Sequence, residues 1–135
     1  MPRSFAAITI HLFGISAFIA GTLTTISPAI TASNLSLPAI PGTLESVQAN
    51  GLAAIAMGIY YNIAGYQENR TFMIATVPMR LLTTMVFLKS AAQAGDVDGG
   101  GWMTAGLWEG LGALATAIAL WADSKAKTKN RKSSP

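Results

Sequence analysis

Two side chains of this sequence, Arg80 and Glu109, combine charge with an apolar setting in a way that demands a partner. Arg80 is at the centre of 71–89, TFMIATVPMRLLTTMVFLK, and Glu109 lies deep inside a second apolar run at 102–122. An unpaired guanidinium at the middle of a bilayer costs about 2.5–3.5 kcal/mol on insertion scales, so the two are expected to meet. A carboxylate held by a fixed cation in an apolar site can serve as general acid or base, burial and the arginine pulling it in opposite directions. Hydrogen-bonding groups nearby extend the set: His11 on the first apolar run and Tyr61 on the second are candidate donors, which with Arg80 and Glu109 complete the candidate catalytic group. Asn50, Met57, Thr84 and Trp108 are candidate substrate contacts, Trp108 being able to face a developing cation. Thr76, Thr83 and Thr84 recur with Arg80 at helical spacing as a polar stripe, while Trp102, Ala105, Gly106, Gly112, Ala113 and Thr116 share a face with Glu109.

These residues need helices to position them, and the composition supplies membrane helices. Of 135 residues 51% are hydrophobic and 11% charged, with a mean hydropathy of +0.44, whereas a soluble domain carries about 25% charged residues. The size suits one domain, and the net charge of +3 is more than accounted for by the last residues, so no nucleic-acid partner is expected. No cysteine is present, which excludes disulfides and thiolate chemistry. P-loop, Rossmann, nucleophile-elbow and HExxH patterns are absent, and Asp96-Val-Asp98-Gly is only half a calcium loop, so neither cofactor nor metal is expected.

The predicted architecture is an all-α, integral membrane four-helix bundle occupying 1–122, with spans at about 5–26, 47–66, 71–89 and 102–122 and a basic, mobile tail at 123–135. A secretory signal is the competing reading of the first run, but the run is long for one and Thr25-Ile26-Ser27 is a poor cleavage site. The proline-bearing segment 27–46 and the glycine-rich 90–101 read as loops, and 67–70 as a tight turn between antiparallel helices. Pro78 sits inside the third span and should bend it beside Arg80. Trp102 and Trp121 read as interfacial anchors, and Tyr60, Tyr61 and Tyr66 lie close enough to the cytosolic interface to form an aromatic belt, the reading favoured for Tyr66. Four spans put Arg3, Arg70, Lys125, Lys127, Lys129, Arg131 and Lys132 on one side with only Glu68 and Asp123 as acids, which predicts both termini in the cytosol. The sequon at Asn34 then faces the lumen, where a eukaryote can glycosylate it, and the sequon at Asn69 faces the cytosol and should stay bare.

Gly58-Ile-Tyr60-Tyr61, Asn69-Arg70, Phe72 and Arg80-Leu-Leu-Thr-Thr together resemble the small four-helix DoxX-like membrane proteins, most nearly their uncharacterised fungal branch, over roughly 51–121. The layout is also similar to small membrane epoxide hydrolases and cyclases of fungal polyketide and terpenoid pathways. That resemblance implies a multi-pass protein of the endoplasmic reticulum acting on a lipophilic small molecule by epoxide hydrolysis, cyclisation or isomerisation. Its expected partners are that substrate and the lipid bilayer, with a homo-oligomer as an option. A non-catalytic membrane subunit or assembly factor is the alternative, and a small transporter the third reading.

Overall fold

The computed structural model of the chain describes residues 4–98 and 100–132, without the side chains of 95–98, 127 and 129–132. Arg3, the Asp96 and Asp98 side chains and the tail side chains of Lys127, Lys129, Arg131 and Lys132 therefore lie outside the described residues. The chain is all-helical: α1 (Phe5–Ile26), α2 (Pro28–Asn34), α3 (Pro41–Tyr66), α4 (Arg70–Asp98) and α5 (Gly100–Lys132). Among the described residues three stretches, Phe5–Ile26, Arg70–Ala94 and Gly100–Ala126, are long and apolar enough to cross a membrane. At 26 residues α3 is long enough but is not among them; its first half carries Glu45, Gln48 and Asn50.

Several boundaries differ from those expected. The segment 27–46 is largely helical, because Pro28 and Pro41 stand at the starts of α2 and α3, where a proline's missing N–H costs nothing. The segment 90–101 is also helical on both sides of residue 99: Ala91, Ala92 and Ala94 propagate α4, and Ala91 is buried. Residues 123–132 continue α5 rather than forming a separate tail, since no proline or glycine interrupts 113–132. α4 runs through Pro78 unbroken.

The large apolar side chains point outward and the small ones inward, the distribution of a membrane protein. Leu12, Ile19, Leu23, Met79, Met85 and Leu111 are exposed, while Ala6, Ala7, Ala64, Ala91, Ala113 and Ala119 are buried. α1 packs along α3, α4 along α5, and α1 joins the two pairs by contacting α5. The α1–α3 seam rests on glycines seven residues apart, Gly14 and Gly21 against Gly51 and Gly58, a spacing that keeps them on one line of contact. A Cβ at Gly21 would stand 2.6 Å from the Gly51 carbonyl oxygen, and one at Gly58 2.7 Å from that of Gly14. Only glycine permits this approach of the backbones.

One end of the bundle gathers the α1 N-terminus, the α3–α4 turn and the later part of α5. The backbone N–H groups of Phe5 and Ala6 donate to the Asp123 carboxylate at 3.1 and 3.0 Å, and that of Ser4 donates to Glu68 Oε1 at 2.8 Å. These two acids supply acceptors and negative charge to a helix N-terminus, where both are favourable. Arg70 closes the same end by donating to Ser124 Oγ at 2.7 Å. The turn itself is tight: Glu68 adopts φ 51°, its N–H and that of Asn69 return to the carbonyls of Gly65 and Ala64, and Asn69 Oδ1 caps α4 at Phe72 N. At the opposite end Trp102 Nε1 donates to the Leu35 carbonyl at 3.0 Å and its ring meets Phe87, so this expected interfacial anchor fastens α5 to the segment after α2.

Candidate functional site: a buried arginine–glutamate pair between two clefts

Most of the larger buried side chains, Ile10, Phe13, Tyr61, Met73 and Leu120, lie in the half of the bundle that holds the gathered ends. Arg80 and Glu109 stand where this core gives out. Arg80 Nε donates to Glu109 Oε2 at 3.2 Å, the expected pairing, with the arginine side chain 3% exposed and the glutamate 18%. The guanidinium carbon lies 3.4 Å from the centre of the Phe13 ring, a cation–π contact from α1. On α5, Gly112 makes room for the guanidinium, since a Cβ there would overlap Nη2. Arg80 thus holds three helices together from α4.

The pair is only partly satisfied. Nη1 and Nη2 of Arg80 are buried and have no hydrogen-bond acceptor among the described residues. An N–H group left without an acceptor in an apolar interior costs about 1–3 kcal/mol, more when charged, so these two atoms require an explanation.

Two clefts adjoin the pair. The larger, about 740 Å³, runs between the α1–α3 pair and α5, and Glu109, Asn50 and Trp108 line it together with the small residues Ala20, Gly21 and Gly51. Its hydroxyls are engaged, Ser16 donating to the Phe13 carbonyl, Thr104 to that of Gly100, and Thr24 accepting from Thr31 of α2. The smaller, about 240 Å³, is lined by Arg80, Thr9, Leu12, Gly112 and Ala115. Phe13, Trp108 and Leu111 line both and so form the wall between them. Glu109 faces one side of that wall and Arg80 the other.

Of the expected site residues, Glu109, Asn50 and Trp108 line the larger cleft and Arg80 and Trp108 the smaller, while His11, Tyr61, Thr84 and Met57 line neither. His11 Nδ1 is hydrogen-bonded to Asn62 Oδ1 at 3.0 Å, its ring against Gly65 on α3, and it lines neither cleft. Tyr61 is buried with its ring between Phe13 and Phe72, each centroid 5.2 Å away, and lies near enough to Arg80 and Glu109 to interact electrostatically with both, though it lines neither cleft. Thr84 donates to the Arg80 carbonyl, and Thr76 and Thr83 likewise bond to their own helix, so the polar stripe serves α4 itself. Met57 is exposed away from both linings. Sequence reasoning missed Phe13, which lies on a different face of α1 from His11, and Thr9, whose hydroxyl lies 3.1 Å from that of buried Thr116. Gly112 was legible as a small residue one turn after Glu109, though not as the seat of a guanidinium. Among the described residues no group of three or more His, Cys, Asp or Glu side chains could hold a metal ion.

No family model, curated protein or solved structure matches the chain. The site is read from its own geometry.

Proposed function

We propose that this chain is a multi-pass membrane enzyme that acts on a lipophilic small molecule by acid/base chemistry at Glu109, as an epoxide hydrolase or cyclase or as a double-bond isomerase. The observation that carries the reading is the apolar cleft of about 740 Å³ beside Glu109, with Asn50 and Trp108 on its walls. Such a cleft has the size of a small-molecule site and few polar groups to orient the ligand. In an epoxide opening Glu109, oriented by Arg80, takes the proton of water or an internal hydroxyl as that oxygen bonds to an oxirane carbon, the ring C–O bond breaks, and the released alkoxide takes a proton from water or from the protonated Glu109. In an isomerisation the same carboxylate removes a proton from one carbon and returns it to another. The proposal includes the DoxX-like resemblance of 51–121, four spans with both termini in the cytosol, and residence in the endoplasmic reticulum of a fungal secondary-metabolite producer.

The test is Glu109→Gln beside the wild type at matched protein level, with lipophilic metabolites profiled in expressing cells. A folded variant that leaves a metabolite unconverted supports the enzyme. A folded variant with an unchanged profile refutes it. The reading as a non-catalytic subunit is favoured by one observation, the clamping of Arg80 between Phe13 and Gly112, and it predicts loss of fold without metabolic change. Glycan attachment at Asn34 in a eukaryotic membrane tests the orientation.

A further inference from the structure

We infer that the smaller cleft is a binding site for the carbonyl oxygen of a neutral, lipid-dissolved molecule, held by Nη1 and Nη2 of Arg80 and reached sideways from the bilayer. The inference goes beyond the proposed function, since this cleft lies across the Phe13, Trp108 and Leu111 wall from the one that Glu109 lines, and it rests on that reading for the assignment of the Arg80–Glu109 region as a ligand site. Three features of the guanidinium define the ligand. Its face is covered by Phe13 and its Nε edge by Glu109, which leaves the two Nη groups as the donors that lack an acceptor; both are closed off from solvent, so the ligand oxygen reaches them by displacing side chains of the lining. A carbonyl oxygen accepts hydrogen bonds in its own plane along two lone-pair directions, so one oxygen can receive both.

Charge selects the neutral ligand. Arg80 and Glu109 together sum to zero, and a ligand carboxylate would leave a net negative charge in an apolar interior, which is costly. A ketone, ester or lactone leaves the balance unchanged. The rest of the lining, Leu12, Phe13, Trp108, Leu111 and Ala115, suits a hydrocarbon body. The volume of about 240 Å³ exceeds the ~150 Å³ of an apolar cavity that accepts benzene, so a substituted ring fits.

The route follows from exposure. Leu12, Trp108 and Leu111, which line the cleft, are 63%, 55% and 64% exposed on faces of α1 and α5 that are long and apolar enough to lie in lipid. The ligand therefore arrives from the hydrocarbon and not from water.

The full chain in lipid nanodiscs is titrated with 4-tert-butylcyclohexanone carrying ¹³C at the carbonyl, against empty nanodiscs. A bound carbonyl resonance, shifted downfield by hydrogen bonding, is expected in the wild type and is lost in Arg80→Met. The matching hydrocarbon, with a methylene group in place of the oxygen, competes about tenfold or more less well, the value of one hydrogen bond to a charged donor. Leu12→Trp narrows the mouth from an exposed position without touching Arg80 and weakens binding about tenfold, so it decides the matter if Arg80→Met does not fold. Equal competition by the hydrocarbon, or a signal unaltered in both variants, overturns the inference. Tighter binding of 4-tert-butylcyclohexanecarboxylate overturns the assignment of a neutral ligand. Binding is read without turnover, so a chain that binds the ketone while Glu109→Gln leaves every metabolite unchanged defeats the catalytic reading and not this one, and the reverse pattern defeats this one alone.

Discussion

Neutralising both members of the Arg80–Glu109 pair should cost far less than the sum of neutralising each alone. Glu109→Gln keeps the shape and an acceptor for Nε, but it leaves a guanidinium only 3% exposed with no opposite charge, at a cost of about 3–5 kcal/mol. Arg80→Met leaves a carboxylate that is 18% exposed at the edge of a cleft and removes the contact with Phe13. Together these cost about 2–4 kcal/mol, from lost hydrogen bonding and lost cation–π attraction. The double variant buries two neutral side chains and has no orphan charge, so its cost is about 1–3 kcal/mol. The singles therefore sum to roughly 5–9 kcal/mol and the double falls short of that by about 2 kcal/mol or more, the signature of directly coupled groups. Reversible unfolding of all four proteins by denaturing detergent in mixed micelles measures the cycle. If the double variant costs the sum of the singles, the side chains are not coupled and the account of the site fails.

Other perturbations probe the frame around the pair. Gly58→Ala brings a Cβ against the Gly14 carbonyl and should destabilise by about 1–3 kcal/mol in the same unfolding assay, whereas Gly42→Ala, with open space around its Cβ, should be neutral or stabilise by up to about 1 kcal/mol. Asp123→Ala removes the acceptors of Phe5 and Ala6 N–H and should cost about 0.5–2 kcal/mol, seen as faster hydrogen exchange at the start of α1; unchanged exchange there refutes the cap. His11→Ala should lower stability by about 1 kcal/mol through the lost bond to Asn62, yet leave any Glu109-dependent conversion per folded molecule unaltered. A conversion abolished by His11→Ala would return His11 to the site.

Three of the four expected spans, the pair and the shared end were legible in the sequence because each follows from a local or additive property. Apolar length marks Phe5–Ile26, Arg70–Ala94 and Gly100–Ala126, and one deeply placed cation beside one deeply placed acid leaves little choice of partner. The charge count put Arg70, Glu68 and the residues after 122 at one end, where Glu68 and Asp123 are in fact tied to the α1 N-terminus. What the sequence concealed depends on how helices rotate against one another. Glycine at 90–101 argued for a loop, but alanine propensity and the packing of Ala91 carry α4 onward. Nothing in the spacing of His11 and Phe13 told which would face the pair; the glycine seam of Gly14 and Gly21 against Gly51 and Gly58 sets the rotation of α1, turning His11 toward Asn62 and Phe13 toward Arg80. Local propensity and burial along one chain thus determine the elements and their ends, while the two clefts on either side of Phe13 and Trp108 arise only where separate helix pairs meet, a property that no single stretch of residues carries.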